Sequence, residues 1–196
     1  MLVVKIEEYK KNRKLVYLSE DTPAFCLYTK EIAGFDIDEG KELSGETFEK
    51  IMELLSKRAR ERSLYLLADM ARTEYQLRKK LKDGMYPEGA IDSAIEYCKG
   101  KHYIDDEDYA RRYISSKADR LSRRMIEKKL YEKGIDRDTI TLAFEDAGIS
   151  ETDTVRSIIS KKYPGMSEWT FEDKQKVIRK LLNAGFSYDA IKDALQ

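Results

Sequence analysis

LRKKLKDGMYPEGAIDSAI, residues 77–95, decides the fold, because its apolar spacing returns twice further down the chain. The apolar positions are Leu77, Leu81, Tyr86, Ile91 and Ile95; they recur as Ile126, Leu130, Ile135, Ile140 and Phe144, then as Val177, Leu181, Phe186, Ile191 and Leu195. The offsets are 49 and 51 residues. Self-similarity at such a period marks helical repeats, each burying its apolar face against its neighbours. Steps of four place two apolar side chains on one helical face. The step from Ile135 to Ile140 spans a polar N-cap, Asp136, as a hydrophobic staple does, and Ser187 has the same place in the third copy. Gly134 and Gly185 sit where a helix ends in a left-handed residue. The first copy departs, with Met85 at the glycine position and Pro87 at the cap. Each copy therefore reads as helix, short turn, helix.

Outward from the repeats, helix starts are signalled by Ser44, by Thr73 with Gln76, by Asp105 with Asp108, and by Ser122, Ser150 and Thr170 with Asp173. Staples at Leu43/Phe48, Ile104/Tyr109 and Leu121/Ile126 support three of them. Phe48, Ile51, Leu55, Ala59, Leu66 and Met70 line one side of a long helix. The expectation is three helices per unit, nine in all. Before them, Leu2–Ile6, Leu15–Leu18 and Ala24–Tyr28 are β-rich runs separated by turn signals, and Gly34–Gly40 reads as a connector. The fold class is therefore all-α: three tandem three-helix repeats in an elongated, curved protein, with a small β-rich N-terminal extension. Expected boundaries are 1–43 for the extension and 44–101, 102–148 and 149–196 for the repeats.

The chain has 196 residues, with 37 basic and 37 acidic side chains and no net formal charge. That balance argues against a strongly basic nucleic-acid binder while leaving room for a local patch. Cys26 and Cys98 have neither metal-ligand spacing nor a disulfide framework. Without a signal peptide or membrane-length apolar run, a cytoplasmic protein that does not engage membranes is expected.

Four stretches, in order, carry a family resemblance. They are Arg72–Leu81 (RTEYQLRKKL), Tyr103–Ala110 (YIDDEDYA), Ile126–Ile135 (IEKKLYEKGI) and Gly185–Ile191 (GFSYDAI). Together with the strands and Lys41-Glu42-Leu43, they make the chain resemble RecX, the regulator of the RecA recombinase. Each motif is mostly cap and core; the ordered set is what is specific. Two departures stand out. A Gly-Pro or similar pair common near Leu121-Ser122-Arg123 is absent, and Met85 replaces the usual glycine of the first repeat. The resemblance implies a non-enzymatic inhibitor, binding as a monomer in the groove of the RecA filament on single-stranded DNA. It would lower ATP hydrolysis, filament extension and strand exchange, and could contact single- or double-stranded DNA.

Charge supplies the candidate surface. Between Arg111 and Lys133 nine bases face three acids, Asp119, Glu127 and Glu132. The bases are Arg111, Arg112, Lys117, Arg120, Arg123, Arg124, Lys128, Lys129 and Lys133. Arg78, Lys79, Lys80 and Lys82 occupy the equivalent helix of the first repeat, and Lys176, Arg179 and Lys180 that of the third. Falling between apolar pairs, they face outward, and a basic stripe could meet an acidic filament surface or DNA phosphates. For a single lysine a solvated face is the better reading; for Arg111–Arg124 it is binding. The alternative function is a direct DNA-binding module built from helix-turn-helix-like units.

Other candidates have plainer readings. Asp105-Asp106-Glu107-Asp108 could suggest a metal, but a cap and a helix dipole account for it. His102 is the only histidine and has no nucleophile motif nearby. Of the tyrosines, Tyr65, Tyr75, Tyr113 and Tyr131 are left without a core role, and Trp169 reads as packing. No phosphate loop is present. No catalytic residue, metal or cofactor is expected, and an enzyme is improbable.

Overall fold

The computed structural model describes residues 1–163 and 169–196. It is mostly helical, with ten helices among the described residues and one three-stranded antiparallel sheet. The chain forms two compact units, Met1–Ile104 and Asp105–Gln196.

In the first unit, β1 (Lys5–Lys10), β2 (Arg13–Tyr17) and β3 (Pro23–Tyr28) form a meander in which Ile6 pairs with Val16 and Val16 with Phe25. The first strand starts later than the Leu2–Ile6 run predicts. Its residues are all exposed or half-buried, as suits an edge strand, whereas Val3 is buried and donates its N–H to the Lys41 carbonyl at 3.0 Å. Leu2 makes only an isolated bridge to Glu42. Asn12 takes the left-handed conformation that closes the β1–β2 turn, with φ of 63°.

A short helix, α1 (Thr29–Gly34), follows β3 directly, ahead of the expected Gly34–Gly40 connector, and brings the helix count from nine to ten among the described residues. No periodic run marks it. It is held by tertiary contacts: Ile32 joins the core, and Glu31 pairs with Arg58 of the next helix. Glu31 also accepts the Tyr28 N–H at 2.9 Å.

The long helix α2 (Gly45–Asp69) starts at Ser44, whose hydroxyl accepts the Thr47 N–H at 3.1 Å. Ile51, Leu55, Ala59 and Leu66 are buried along one side, as expected, but Met70 falls just past the helix end and is 54 % exposed. Helices α3 (Glu74–Asp83) and α4 (Glu88–Gly100) follow, and the Thr73–Gln76 capping box is present. Val16, Phe25 and Leu27 of the sheet share one core with Ile51, Leu55, Leu77, Leu81 and Ile91. The strands are thus stabilised by burial against helices rather than alone. Arg13 ties the sheet to the α3–α4 turn, donating to the Gly84 carbonyl at 3.0 Å.

The second unit holds two three-helix groups. α5 (Asp106–Lys117), α6 (Arg123–Glu132) and α7 (Arg137–Ala147) enclose Ile114, Ile126, Leu130, Ile135 and Ile140. α8 (Glu151–Lys162), α9 (Phe171–Asn183) and α10 (Tyr188–Ala194) enclose Val155, Ile158, Val177, Leu181 and Ile191. Asp105, Ser122, Asp136, Ser150, Thr170 and Ser187 all cap as their spacing predicts. Among the staple residues, Leu121 and Ile126 share one core, while Ile104 belongs to the first unit's core and Tyr109 to that of α5–α7. The turn between the second and third helices of each repeat is left-handed at equivalent positions: Met85 (φ 62°), Gly134 (85°) and Gly185 (87°). Met85 therefore adopts the conformation its two counterparts reach as glycine.

The two groups of this unit meet at Ser122. Its hydroxyl accepts the Met125 N–H at 3.3 Å and donates to the Ala184 carbonyl at 3.1 Å. Gly185 lies so close that a Cβ there would stand 2.7 Å from the Ser122 Oγ.

Candidate partner-binding surface

The basic residues fall into three kinds of surroundings. On α5, Arg112 pairs with Asp108 at 2.8 Å and Arg111 with Glu107 at 3.9 Å. Lys117 lies over the ring of Tyr113 at 5.8 Å, and Arg120 is bonded to its neighbour Asp119 at 3.1 Å. The acids of the Asp105–Asp108 cluster thus work locally, one as a cap and two as helix-surface partners. No group of three or more His, Cys, Asp or Glu side chains among the described residues is placed to hold a metal ion.

On α3, Arg78 is half-buried and fully engaged. Its Nε donates to Glu74 at 2.8 Å and its Nη1 to Asp92 at 2.7 Å, with Glu88 at 3.5 Å. Burial works to raise the Glu74 pKa, but hydrogen bonds from Lys99 and Arg78 outweigh it and hold the carboxyl below its usual range. Lys82 pairs with Glu88 at 3.1 Å, whereas Lys79 and Lys80 are exposed and form no ion pair among the described residues.

The third setting is the crease between α6 and α7, a groove of about 460 Å³. Arg124, Lys128 and Tyr131 line it from α6 at i, i+4, i+7 spacing, which sets them on one helical face. Arg137, Ile140 and Thr141 line it from α7. The Arg137 guanidinium lies over the Tyr131 ring at 5.9 Å, and that tyrosine is 62 % exposed. The single acid in the lining, Glu127, is bonded to Arg123 at 2.7 Å. Arg123 also covers the Phe144 ring at 4.7 Å. Lys128 has only a distant partner, Glu132 at 4.0 Å, while Arg124, Lys129 and Arg137 form no ion pair among the described residues. At the start of α7, Asp136 accepts the Thr139 N–H at 2.9 Å and its hydroxyl at 2.8 Å, which lowers the Asp136 pKa and keeps the helix start anionic.

Of the sequence-predicted residues, the structure brings Arg124 and Lys128 into one groove. Arg111 lines a different cavity, with Ser115, Asp119 and Asp146. Arg78 and Lys82 are tied to carboxylates of their own repeat. Arg137 was not foreseen. Repeat alignment could have found it, since Arg137 stands 49 residues after Glu88 and so reverses the charge at an equivalent position.

Comparisons with known proteins follow the same order as the helices. Family models described as the first, second and third three-helix domains of RecX match residues 59–98, 105–143 and 150–195. The chain is 29 % identical to a regulatory protein RecX of Caldanaerobacter subterraneus subsp. tengcongensis, across all of this chain and 98 % of that one. It is 30 % identical to one from Clostridium botulinum (strain Alaska E43), across 99 % of this chain and 94 % of that one. A crystal structure of a regulatory protein RecX superposes with a TM-score of 0.61 at 26 % identity, covering 98 % of both chains.

Proposed function

This chain belongs to the RecX family, and from that premise we propose that it binds the RecA filament on single-stranded DNA and restrains it. Its relatives are named regulatory proteins. In this reading the protein has no catalytic step of its own. It lies in the filament groove as a monomer, slows ATP hydrolysis, blocks extension and limits strand exchange. The division into an extension at 1–43 and repeats at 44–101, 102–148 and 149–196 belongs to the same proposal.

The single observation that carries it is the α6–α7 groove, where Arg124, Lys128 and Arg137 stand around an exposed tyrosine. Three basic groups on a rigid helical pair, with two of them unpaired among the described residues, give a chain of zero net charge a local attraction for an acidic surface. Lys79, Lys129 and the α5 bases would add to the contact at its margins. Arg111, Arg112 and Arg123 are already paired within their helices and contribute less.

Co-sedimentation tests the reading. The chain is spun with recombinase filaments assembled on single-stranded DNA and, separately, with the DNA alone. Pelleting with filaments and not with bare DNA supports the proposal. Pelleting with bare DNA alone, lost log-linearly as salt rises, would replace it with the direct DNA-binding module.

A further inference from the structure

The same helix pair occurs in each repeat, and the residues facing each other across it differ each time. In the first repeat the two helices are bridged by the protein's own ion pairs. Arg78 reaches from α3 to Asp92 on α4 at 2.7 Å, and Lys82 reaches Glu88 at 3.1 Å. In the second repeat the positions of Glu88 and Asp92 are held by Arg137 and Thr141, and that of Arg78 by Glu127. Glu127 turns along its own helix to Arg123. Among the described residues no acid bridges this groove, so Arg124, Lys128 and Arg137 share it with Tyr131. In the third repeat Ile178 and Leu182 stand at the places of Glu127 and Tyr131, Gln175 and Arg179 at those of Arg124 and Lys128, and Tyr188 replaces Arg137.

We infer that the groove between α6 and α7 is a dedicated recognition site for a short acidic segment of a protein partner, one carrying carboxylates beside an apolar side chain. Two guanidinium groups suit carboxylates, because each can present two parallel N–H donors to the planar group. The exposed ring of Tyr131 gives an apolar neighbour a surface to cover. The compactness of the site favours a discrete anion over a continuous one. Along the two helices Glu127, Glu132, Asp136 and Asp138 are interleaved with the cations, so the positive field is broken up and is not a continuous track on which successive phosphates could lie. The inference rests on the filament-binding reading only in taking the partner to be the regulated protein; the groove's own chemistry stands apart from it.

The test uses the full chain, labelled with nitrogen-15. It is titrated with a capped glutamate peptide containing one phenylalanine and, in parallel, with oligothymidylate of equal charge at matched ionic strength. The expected result is that the peptide moves the Nε–Hε signals of Arg124 and Arg137 and the amides of α6 and α7. Arg137→Glu restores the acid that the first repeat carries and should weaken the peptide about tenfold, with the rest of the spectrum unchanged. Arg137→Lys should retain part of the binding. Shifts spread over all basic residues, undiminished binding by Arg137→Glu, or tighter binding of oligothymidylate at the same signals would each overturn the inference. Inhibition of recombinase ATP hydrolysis by the native chain is read separately. Inhibition without peptide binding sinks the groove and keeps the function; peptide binding without inhibition does the reverse.

Discussion

Replacing Gly185 with alanine should cost the second unit far more than the same change at Gly148, and the difference measures the joint between its two helical groups. Both glycines have positive φ, 87° and 57°. An L-residue in that region costs about 1–2 kcal/mol on steric grounds alone. At Gly148 an added methyl meets nothing within 4 Å, so the loss should stay at about 1 kcal/mol. At Gly185 the methyl would lie 2.7 Å from the Ser122 Oγ and 3.0 Å from the Met125 Cγ. Met125 can adjust, but Ser122 is buried and caps α6 while donating to the Ala184 carbonyl. Moving it away forfeits a cap worth about 1 kcal/mol. The expected loss at Gly185 is therefore about 2–4 kcal/mol. Urea unfolding followed by tryptophan fluorescence reads it directly, because the only tryptophan, Trp169, packs edge-on against Tyr163 in the third repeat at 6.1 Å. With a slope of about 2 kcal/mol per molar urea, the midpoint should fall by about 1–2 M for Gly185→Ala and about 0.5 M for Gly148→Ala. Equal losses in the two variants would refute the reasoning, since they would mean that the turn finds room without disturbing Ser122.

Three further outcomes follow from local geometry. Thr73→Ala removes a buried N-cap whose hydroxyl accepts the Gln76 N–H at 3.2 Å, and should lower stability by about 1 kcal/mol in thermal unfolding. Arg13→Ala should loosen the sheet by about 1–2 kcal/mol, seen as faster amide exchange in β2 and β3 with the helices of the second unit unaffected. Asp136 has its pKa lowered by hydrogen bonds from the Thr139 backbone and hydroxyl, so its contribution is complete above the ordinary carboxylate pKa of about 4 and is lost as pH falls through the folded value. Asp136→Asn should therefore flatten the acid limb of the stability profile, and an unchanged limb would show that the cap does not titrate with folding.

What could be read from the chain and what could not divides along physical lines. Caps and most staples were legible because they join residues three to five apart, and Ser44, Thr73, Asp105, Ser122, Asp136, Ser150, Thr170 and Ser187 all cap where expected. Helix α1 was not, since Ile32 and Glu31 hold it through contacts with distant residues. The edge strand β1 was misplaced because its charged residues Glu7, Glu8 and Lys10 carry no apolar signal, and only pairing with β2 makes them a strand. The basic surface was half legible. Counting charges from Arg111 to Lys133 found the surplus but not its local cancellation, although Arg111–Glu107, Arg112–Asp108 and Arg123–Glu127 are all four residues apart. The groove itself needs α7 folded back on α6, and only that packing brings Arg137 beside Tyr131.

The most direct test of the central claim is ATP hydrolysis by the cognate recombinase on single-stranded DNA, titrated with the native chain and with the Arg124→Glu, Arg137→Glu double variant. Inhibition by the native chain, shifted at least about tenfold to higher concentration in the variant, is the predicted result. Hydrolysis that stays at its uninhibited rate with saturating native chain would contradict it.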